Sequence, residues 1–494
     1  MRILFAVTHL GFLRNFESTL ALLAERGHQI HLVTDRRPKG DVIDGTPIFE
    51  RLAARVPGAF TWETIPPSKQ DPWYALSTAV REGLNYWRYL SPTFDDAPML
   101  RERGRTQAPP PVVWLSGLPL LRTRPGLRLL TAVFRSCERA IPVRAGVQEV
   151  FERWAPDLLL VTPLLYFGSM QVDYVRQARR TGISSVLGVG SWDHLTTKGR
   201  IHELPDRVVV WNELQRTEAV ELHGARPDQV VVTGAQAYDH WFAGKPSTSR
   251  EAFCARVGLP SGRPYLLYLC SSPFIAPAEV DVVRRWIEAV RGHRDERLRS
   301  VGILVRPHPQ NAAQWQDVDL SAFGDVSIWP RAGANPIGPS ARSEYYDSMY
   351  HAHAVVGVNT SALIESGIVG RLVFSFHVPE LAGTQEGTLH FRHLRRGGLL
   401  RLADHLDEHV AQLAASFAST EEDRARVRGF IELFVRPYGL DDPATPRVVR
   451  AIEEQGAVRP APRGPSLGSR VLQRVLQMVV NTMAAPAAAV RRKA

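Results

Sequence analysis

Cysteine is scarce in this chain of 494 residues. Cys137, Cys254 and Cys270 stand too far apart for a disulfide framework or a zinc knuckle, which points to a reducing, cytoplasmic setting. Long apolar runs are also missing. No stretch reaches the roughly 18–20 uninterrupted apolar residues that a spanning helix needs. The opening MRILFAV meets His9 and Arg14 with no small-residue cleavage site after it, so it reads as a first strand and not a signal peptide. Acid is absent from Ala457 to Ala494, which holds seven Arg or Lys; the net charge of +10 less those seven leaves only +3 on the preceding 456 residues. So neutral a body, without basic clusters beside aromatics, argues against a nucleic-acid partner. Gly11 lacks the G-x-G-x-x-G spacing of a nicotinamide fingerprint, despite Asp35 after the second strand. Neither G-x-S-x-G nor H-E-x-x-H occurs.

What is present is an ordinary globular composition, 44% apolar and 22% charged, in a chain too long for one core. Apolar runs that read as strands alternate with helical periodicity. Ile3–Val7, Gln29–Thr34, Asp157–Thr162, Ser184–Val189, Arg207–Val210 and Gln229–Val232 form a first set. Tyr265–Leu269, Val301–Val305, Val326–Trp329, Val355–Val358 and Leu372–Phe376 form a second. Asn15 is the expected cap of the first helix. This pattern predicts two α/β, Rossmann-like, doubly wound parallel-sheet domains facing a cleft. The expected divisions are 1–240 with an irregular helical insertion over about 60–150, a linker at 241–261, a second domain at 262–456 whose 401–455 part is helical, and a basic tail at 457–494.

Ligands of parallel α/β sheets gather beyond the carboxyl ends of the strands. Four such ends in the second half carry unusual polar residues: Ser271 and Ser272 in CSSP; Arg306 and His308 in RPHP; Thr360 and Ser361 in NTS; and Thr384, Gln385, Glu386 and His390 further on. The prolines of RPHP end a strand and stiffen the turn after it, holding two cationic donors in place. With the start of a helix at NTS, these groups predict a phosphate site. Glu365, one turn inside that helix, is placed to accept hydrogen bonds from ribose hydroxyls. Asp317-Val318-Asp319 has a D-x-D spacing but lies in a polar loop, so no metal site is expected there.

RPHP (306–309) and YYDSMYHAHAVVGVNTSALIESGIVGRLVFSF (345–376) resemble the donor segment of GT-B glycosyltransferases. The nearest likeness is to bacterial cell-surface polymer enzymes, which include CDP-glycerol glycerophosphotransferases and capsule sugar transferases. VVVWNELQRTEAVELHGARPDQVVVTG (208–234) is similar to the segment closing their N-terminal domain. The resemblance implies a nucleotide-activated donor on the C-terminal domain, with His308, Thr360 and Ser361 at its diphosphate. It implies an acceptor on the N-terminal domain and neither metal nor cofactor. Asn359 departs from the acidic residue of that pattern, and the 60–150 insertion has no counterpart in it.

Such a reaction needs a base for the acceptor hydroxyl. Asp193 and His194 in SWDHLTTKG are the first candidates and His9 the second. The expectation is a metal-independent transferase acting on a surface-glycan or lipid-linked acceptor. Glycerophosphate transfer, 2-epimerisation of a nucleotide sugar, or a non-catalytic scaffold in polysaccharide assembly are the alternatives. Beyond the Pro-rich linker 456–465, residues 466–492 read as a basic amphipathic helix. Val471, Leu472, Val475, Leu476 and Val479 share its apolar face, suited to the inner surface of an anionic membrane, the alternatives being docking on the protein's own body or disorder.

Overall fold

The computed structural model describes residues 1–35 and 43–491, with side chains as far as 482. It divides into two compact units, Met1–Thr233 with Thr445–Ala494, and Gly234–Ala444. The first unit holds, among the described residues, seven parallel strands: β1 (Arg2–Val7), β2 (Gln29–Thr34), β3 (Phe60–Thr64), β4 (Leu158–Thr162), β5 (Ser184–Gly188), β6 (Arg207–Val210) and β7 (Val230–Val232). Their order is β3-β2-β1-β4-β5-β6-β7. Strands such as LLLVT in β4 are buried along their whole length, as expected where helices cover both faces of a parallel sheet.

Two local expectations change. The first helix begins at Glu17 with Phe16, not Asn15, at its cap position, because His9 caps a 3₁₀ turn, Leu10–Asn15, that comes before it. The stretch expected to be a helical insertion opens with an edge strand, β3, whose Thr61 and Glu63 side chains hold His31 of β2 at 2.7 Å each. Helices follow from Tyr74 onward: Tyr74–Arg88, Pro98–Gln107, Pro110–Gly117, Arg124–Ala140 and Ala145–Trp154. They enclose a satellite core of Trp73, Val80, Leu84, Trp87, Val112 and Leu130.

A buried ion network joins this insertion to the sheet layer. Arg81 donates to both oxygens of Glu138 (3.0 and 3.2 Å) and to Asp173 at 2.9 Å. Arg144 reaches the other oxygen of Asp173 at 2.8 Å and Asp35 at 3.2 Å. Burial works to raise the pKa of Glu138 and Asp173, but the guanidinium groups around them, Arg81 and Arg176 at both and Arg144 at Asp173, together outweigh it and hold both below the usual carboxylate range.

The second unit repeats the plan with β8 (Tyr265–Leu269), β9 (Gly302–Arg306), β10 (Val326–Ile328), β11 (Ala354–Gly357), β12 (Leu372–Phe376) and β13 (Leu400–Ala403), all parallel, in the order β10-β9-β8-β11-β12-β13. β13 lies in the stretch read as helical; it pairs in register with β12 from Val373↔Leu400. The segment read as a linker, 241–261, contains the helix Arg250–Val257, capped by Ser249 and burying Phe253, Cys254 and Val257. Just before it, Ser247 is tied to Asp347 through backbone N–H (2.8 Å) and hydroxyl (2.6 Å).

The closing helix Ala444–Gly456, read as part of the second domain, returns to the first unit. There Glu453 pairs with Arg26 at 2.7 Å and Gln455 donates to Ser184 at 3.2 Å. The tail is the helix Leu467–Arg491, and residues 492–494 lie outside the described ones. Among the described residues no helix is long and apolar enough to cross a membrane.

Replacing Arg81 by Met leaves two carboxylates buried without their main partner. Unfolding in urea should show a loss of about 3–5 kcal/mol, whereas Arg105→Met, which breaks an exposed i,i+3 pair with Glu102, should leave the urea midpoint essentially unchanged.

Candidate functional site

In each unit the strand order reverses beside the first strand, between β1 and β4 and between β8 and β11. A crevice for a ligand opens at such a point beyond the carboxyl ends of the strands. In the second unit the loops leaving β8, β9, β11 and β12 are sewn together there by side chains. Asn311, just after RPHP, donates its amide to Ser271 O (3.2 Å) and Ala276 O (2.8 Å) of the β8 loop. Thr384, in the β12 loop, donates to Ile275 O at 2.7 Å. Asn359, after β11, donates to Thr384 O at 2.9 Å. An aspartate at 359 has no proton to give that carbonyl, which is the local reason for Asn where the resembled pattern carries an acid.

The residues proposed from sequence fall into two groups. Arg306 is 5% exposed. Its two Nη atoms are bound to Glu344 (2.7 and 2.9 Å), and the guanidinium lies over the Tyr345 ring at 4.7 Å. The expected second phosphate donor is thus engaged within its own unit, because the last place in β9 turns its side chain toward the helix Pro339–Tyr350. Burial and the neighbouring Glu365 hold the Tyr345 phenol well above its usual pKa, so it stays protonated and donates to Glu365 at 2.8 Å. Gln385 is fully buried: it accepts from Val378 N and donates to Val358 O and Phe376 O. Ser271 is buried too, its N–H bound to Glu279 at 2.7 Å.

The second group remains at the surface of the crevice. His308 accepts Gln310 N–H on Nδ1 at 3.2 Å, so the neutral ring carries its proton on Nε2 and presents a donor. Ser272 and Thr360 are half-buried, and Ser361 is exposed. Thr360 caps the short helix Ala362–Ile368 by accepting Ala362 N–H at 3.4 Å, while Ser361 makes no side-chain cap. Leu363 and Ile364 N–H bond back to Thr360 and Ser361 carbonyls, so most donors of this first turn are already used. The hydroxyls, more than the helix end, are left to meet an anion. Glu386 is half-exposed and pairs with Arg395 at 3.1 Å. Asp319 accepts Ser321 N–H in its turn, and among the described residues no cluster of metal-ligating side chains occurs.

Sequence reasoning missed Asn311 and Glu279. Glu279 has no exposed surface. Burial pushes its carboxyl up to about 7, against the opposing pull of the Ser271 N–H.

In the first unit the corresponding edge is aromatic. Gln171 donates to Ala6 O (2.9 Å) and Thr162 O (2.7 Å), tying the ends of β1 and β4. A row of rings follows: His9–Phe12 at 4.7 Å, Phe12–Tyr166 at 5.5 Å and Tyr166–His194 at 5.8 Å. Lys198 lies over Tyr166 at 5.2 Å and pairs with Asp193 at 3.2 Å. Asp193 also accepts from Ser191 (2.6 Å) and Thr197 (2.9 Å), and its side chain keeps some exposure.

His194 is 2% exposed, and burial lowers its pKa to about 4, so it is neutral and enclosed. His9 accepts Gly11 N–H on Nδ1 at 3.1 Å, which again leaves the proton on Nε2. Gly11 is required there, since a Cβ would stand 2.5 Å from Ile43 O and 2.9 Å from the His9 ring. Of the three sequence candidates for a base, Asp193 alone combines partial exposure with a carboxylate.

No family model and no curated protein matches the chain. Solved structures do. The chain is similar to a glycosyltransferase from Rickettsia africae (TM-score 0.51, 10% identity, 92% of this chain and 98% of that one). It is also similar to UDP-GlcNAc 2-epimerases from Methanocaldococcus jannaschii, in complex with UDP-GlcNAc and UDP (0.50, 10%, 92% and 100%), and from Neisseria meningitidis, bound to UDP-GlcNAc (0.50, 9%, 92% and 100%). The likeness is one of fold. Two Rossmann-like units of parallel strands are the GT-B fold.

Glu279 generates a pH test. A carboxyl held near 7 in the folded state and near 4.5 in the unfolded one contributes stability below about pH 4.5 that is lost as pH rises toward 7. Relative to wild type, Glu279→Gln should therefore gain up to about 3 kcal/mol between pH 4.5 and 8, read by denaturant midpoints across pH.

Proposed function

We propose that the protein is a metal-independent glycosyltransferase that takes a nucleotide-activated donor on its second unit and passes the sugar to a surface-glycan or lipid-linked acceptor. One observation carries the reading: the loops after β8, β9, β11 and β12 are stitched into a single polar edge at the strand-order reversal. The structures of the same class that hold UDP-GlcNAc support it. In this reading the Nε2–H of His308 and the hydroxyls of Ser272, Thr360 and Ser361 receive the diphosphate as its bond to the sugar breaks. Donors fixed before the reaction stabilise that charge without reorganising. Glu365, aimed by Tyr345, takes the ribose hydroxyls, and Glu386 faces the donor.

On the first unit Tyr166 offers a ring for an acceptor sugar to stack on. Asp193 accepts the proton of the attacking hydroxyl, and His9 and His194 orient groups around it. The acceptor oxygen bonds to the anomeric carbon, the carbon–oxygen bond to the diphosphate breaks, and the nucleoside diphosphate leaves. We place the protein in the cytoplasm, at the inner face of the membrane where lipid-linked acceptors lie, with no resident cofactor.

Thermal shifts against UDP-, GDP-, CMP-, CDP- and dTDP-linked donors test this. A donor at about a hundred times its Kd adds roughly 2.7 kcal/mol of stability, with or without EDTA. His308→Ala should weaken that binding by about 10–100-fold, the worth of a hydrogen bond to a charged group, and Asp193→Asn should lower kcat while sparing donor Kd. Binding that needs a divalent ion, or that ignores His308→Ala, overturns the assignment. Turnover of a UDP-sugar without acceptor identifies an epimerase, response to CDP-glycerol alone a glycerophosphotransferase, and no donor binding a scaffold.

A further inference from the structure

The tail helix Leu467–Arg491 does not lie as its sequence pattern suggests. Leu476 and Val480 pack into the satellite core with Leu127, Leu130 and Phe134 of the helix Arg124–Ala140. Docking by this seam splits the apolar face and leaves Val471, Val475, Met478 and Val479 in solvent, with Val471 57% and Met478 62% exposed. At about 100° per residue these four form one stripe, with Arg470 and Arg474 along its free border. The helix it rests on does the same. Leu129 (60% exposed) and Val133 stand outside its seam, with Arg128 and Arg135 beside them, and Trp114 on the preceding helix is 65% exposed.

Charge sets these stripes apart from chance surface hydrophobics. Residues 103–148 contain eight arginines and one acid, and that acid, Glu138, is buried against Arg81. The tail beyond 456 contains none. An apolar partner protein gives no reason for so complete an exclusion of negative charge. An anionic bilayer does, because its headgroups attract guanidinium while its acyl boundary takes Leu, Val, Met and Trp.

We propose that the exposed stripes of the tail helix and of the insertion helix Arg124–Ala140 meet as one surface, and that this surface seats the protein on a membrane rich in anionic phospholipid. The insertion is then half of the membrane contact and not an accessory to the first unit. The proposal is independent of the reaction the protein performs.

Flotation of the full chain with vesicles of 30% phosphatidylglycerol in phosphatidylcholine, against pure phosphatidylcholine, is the test. Binding is expected to the anionic vesicles only, and to fall about tenfold or more in 0.5 M salt, where the screening length is a few ångströms. Val475→Asp and Leu129→Asp should each cut partitioning by about tenfold, with thermal melts unchanged because both sites are exposed. Failure to float with anionic vesicles overturns the proposal. So does a Leu129→Asp protein that floats like wild type, since the insertion then takes no part. Sedimentation showing self-association that both substitutions abolish would assign the surface to a second copy and overturn it as well.

Discussion

A parallel sheet stops making ladder hydrogen bonds at its carboxyl edge, and the backbone groups left there must find partners or water. Both units of this protein solve the problem with buried side-chain amides. Gln171 joins the carbonyls that end β1 and β4 in the first unit. Gln385 joins Val358 and Phe376 after β11 and β12 in the second, with Asn311 and Asn359 extending the stitching to the neighbouring loops. An amide both gives and accepts, so one residue satisfies carbonyls on two strands and an N–H on a loop. The loops at each reversal are thereby tied to the strand ends they leave.

The same economy of roles explains why Arg306, at the end of β9, is taken up by partners within its own unit. Arg306 is held by Glu344 and Tyr345, and Tyr345 in turn aims Glu365. A cation at the end of a buried strand is stable only with a bidentate partner. What lines the surface of the crevice is a set of smaller neutral groups: an imidazole whose Nδ1 accepts from Gln310, and the hydroxyls of Ser272, Thr360 and Ser361. In the first unit Lys198 and Asp193 satisfy one another in the same way beside Tyr166. In both places a pair of strong charges is satisfied within the protein and anchors a loop.

The helical insertion adds a second layer of organisation. Its core is apolar, but its junction with the sheet is the network of Arg81, Arg144, Glu138, Asp173 and Asp35. Such a network fixes geometry more than it adds stability, since desolvation offsets much of the attraction. The helix Arg124–Ala140 is thereby held from within by Glu138 and Leu130, while its outer side carries the tail helix.

Much of the fold was legible along the chain. Continuous buried runs such as ILFAV, LLLVT, YLLYL and LVFSF announce strands covered on both faces, and their alternation with helices implies parallel sheets. β3 and β13 escaped because FTWET and LRLA lie at sheet edges, where half the residues face water and the apolar signal fades. RPHP, NTS and CSSP were found because Pro, Ser and Thr after a strand mark its end by local stereochemistry. Which of their side chains remain available was beyond local pattern. Arg306 and Glu344 are 38 residues apart, and Asn359 and Thr384 are 25 apart. The alternation of strand and helix, the placing of polar loops at strand ends and the acid-free tail can all be read along the chain, because each depends on neighbouring residues. Which polar groups pair with one another, which apolar stripe of the tail is covered and to which unit the closing helix belongs follow from the three-dimensional packing, because they depend on contacts between segments whose spacing in sequence carries no information.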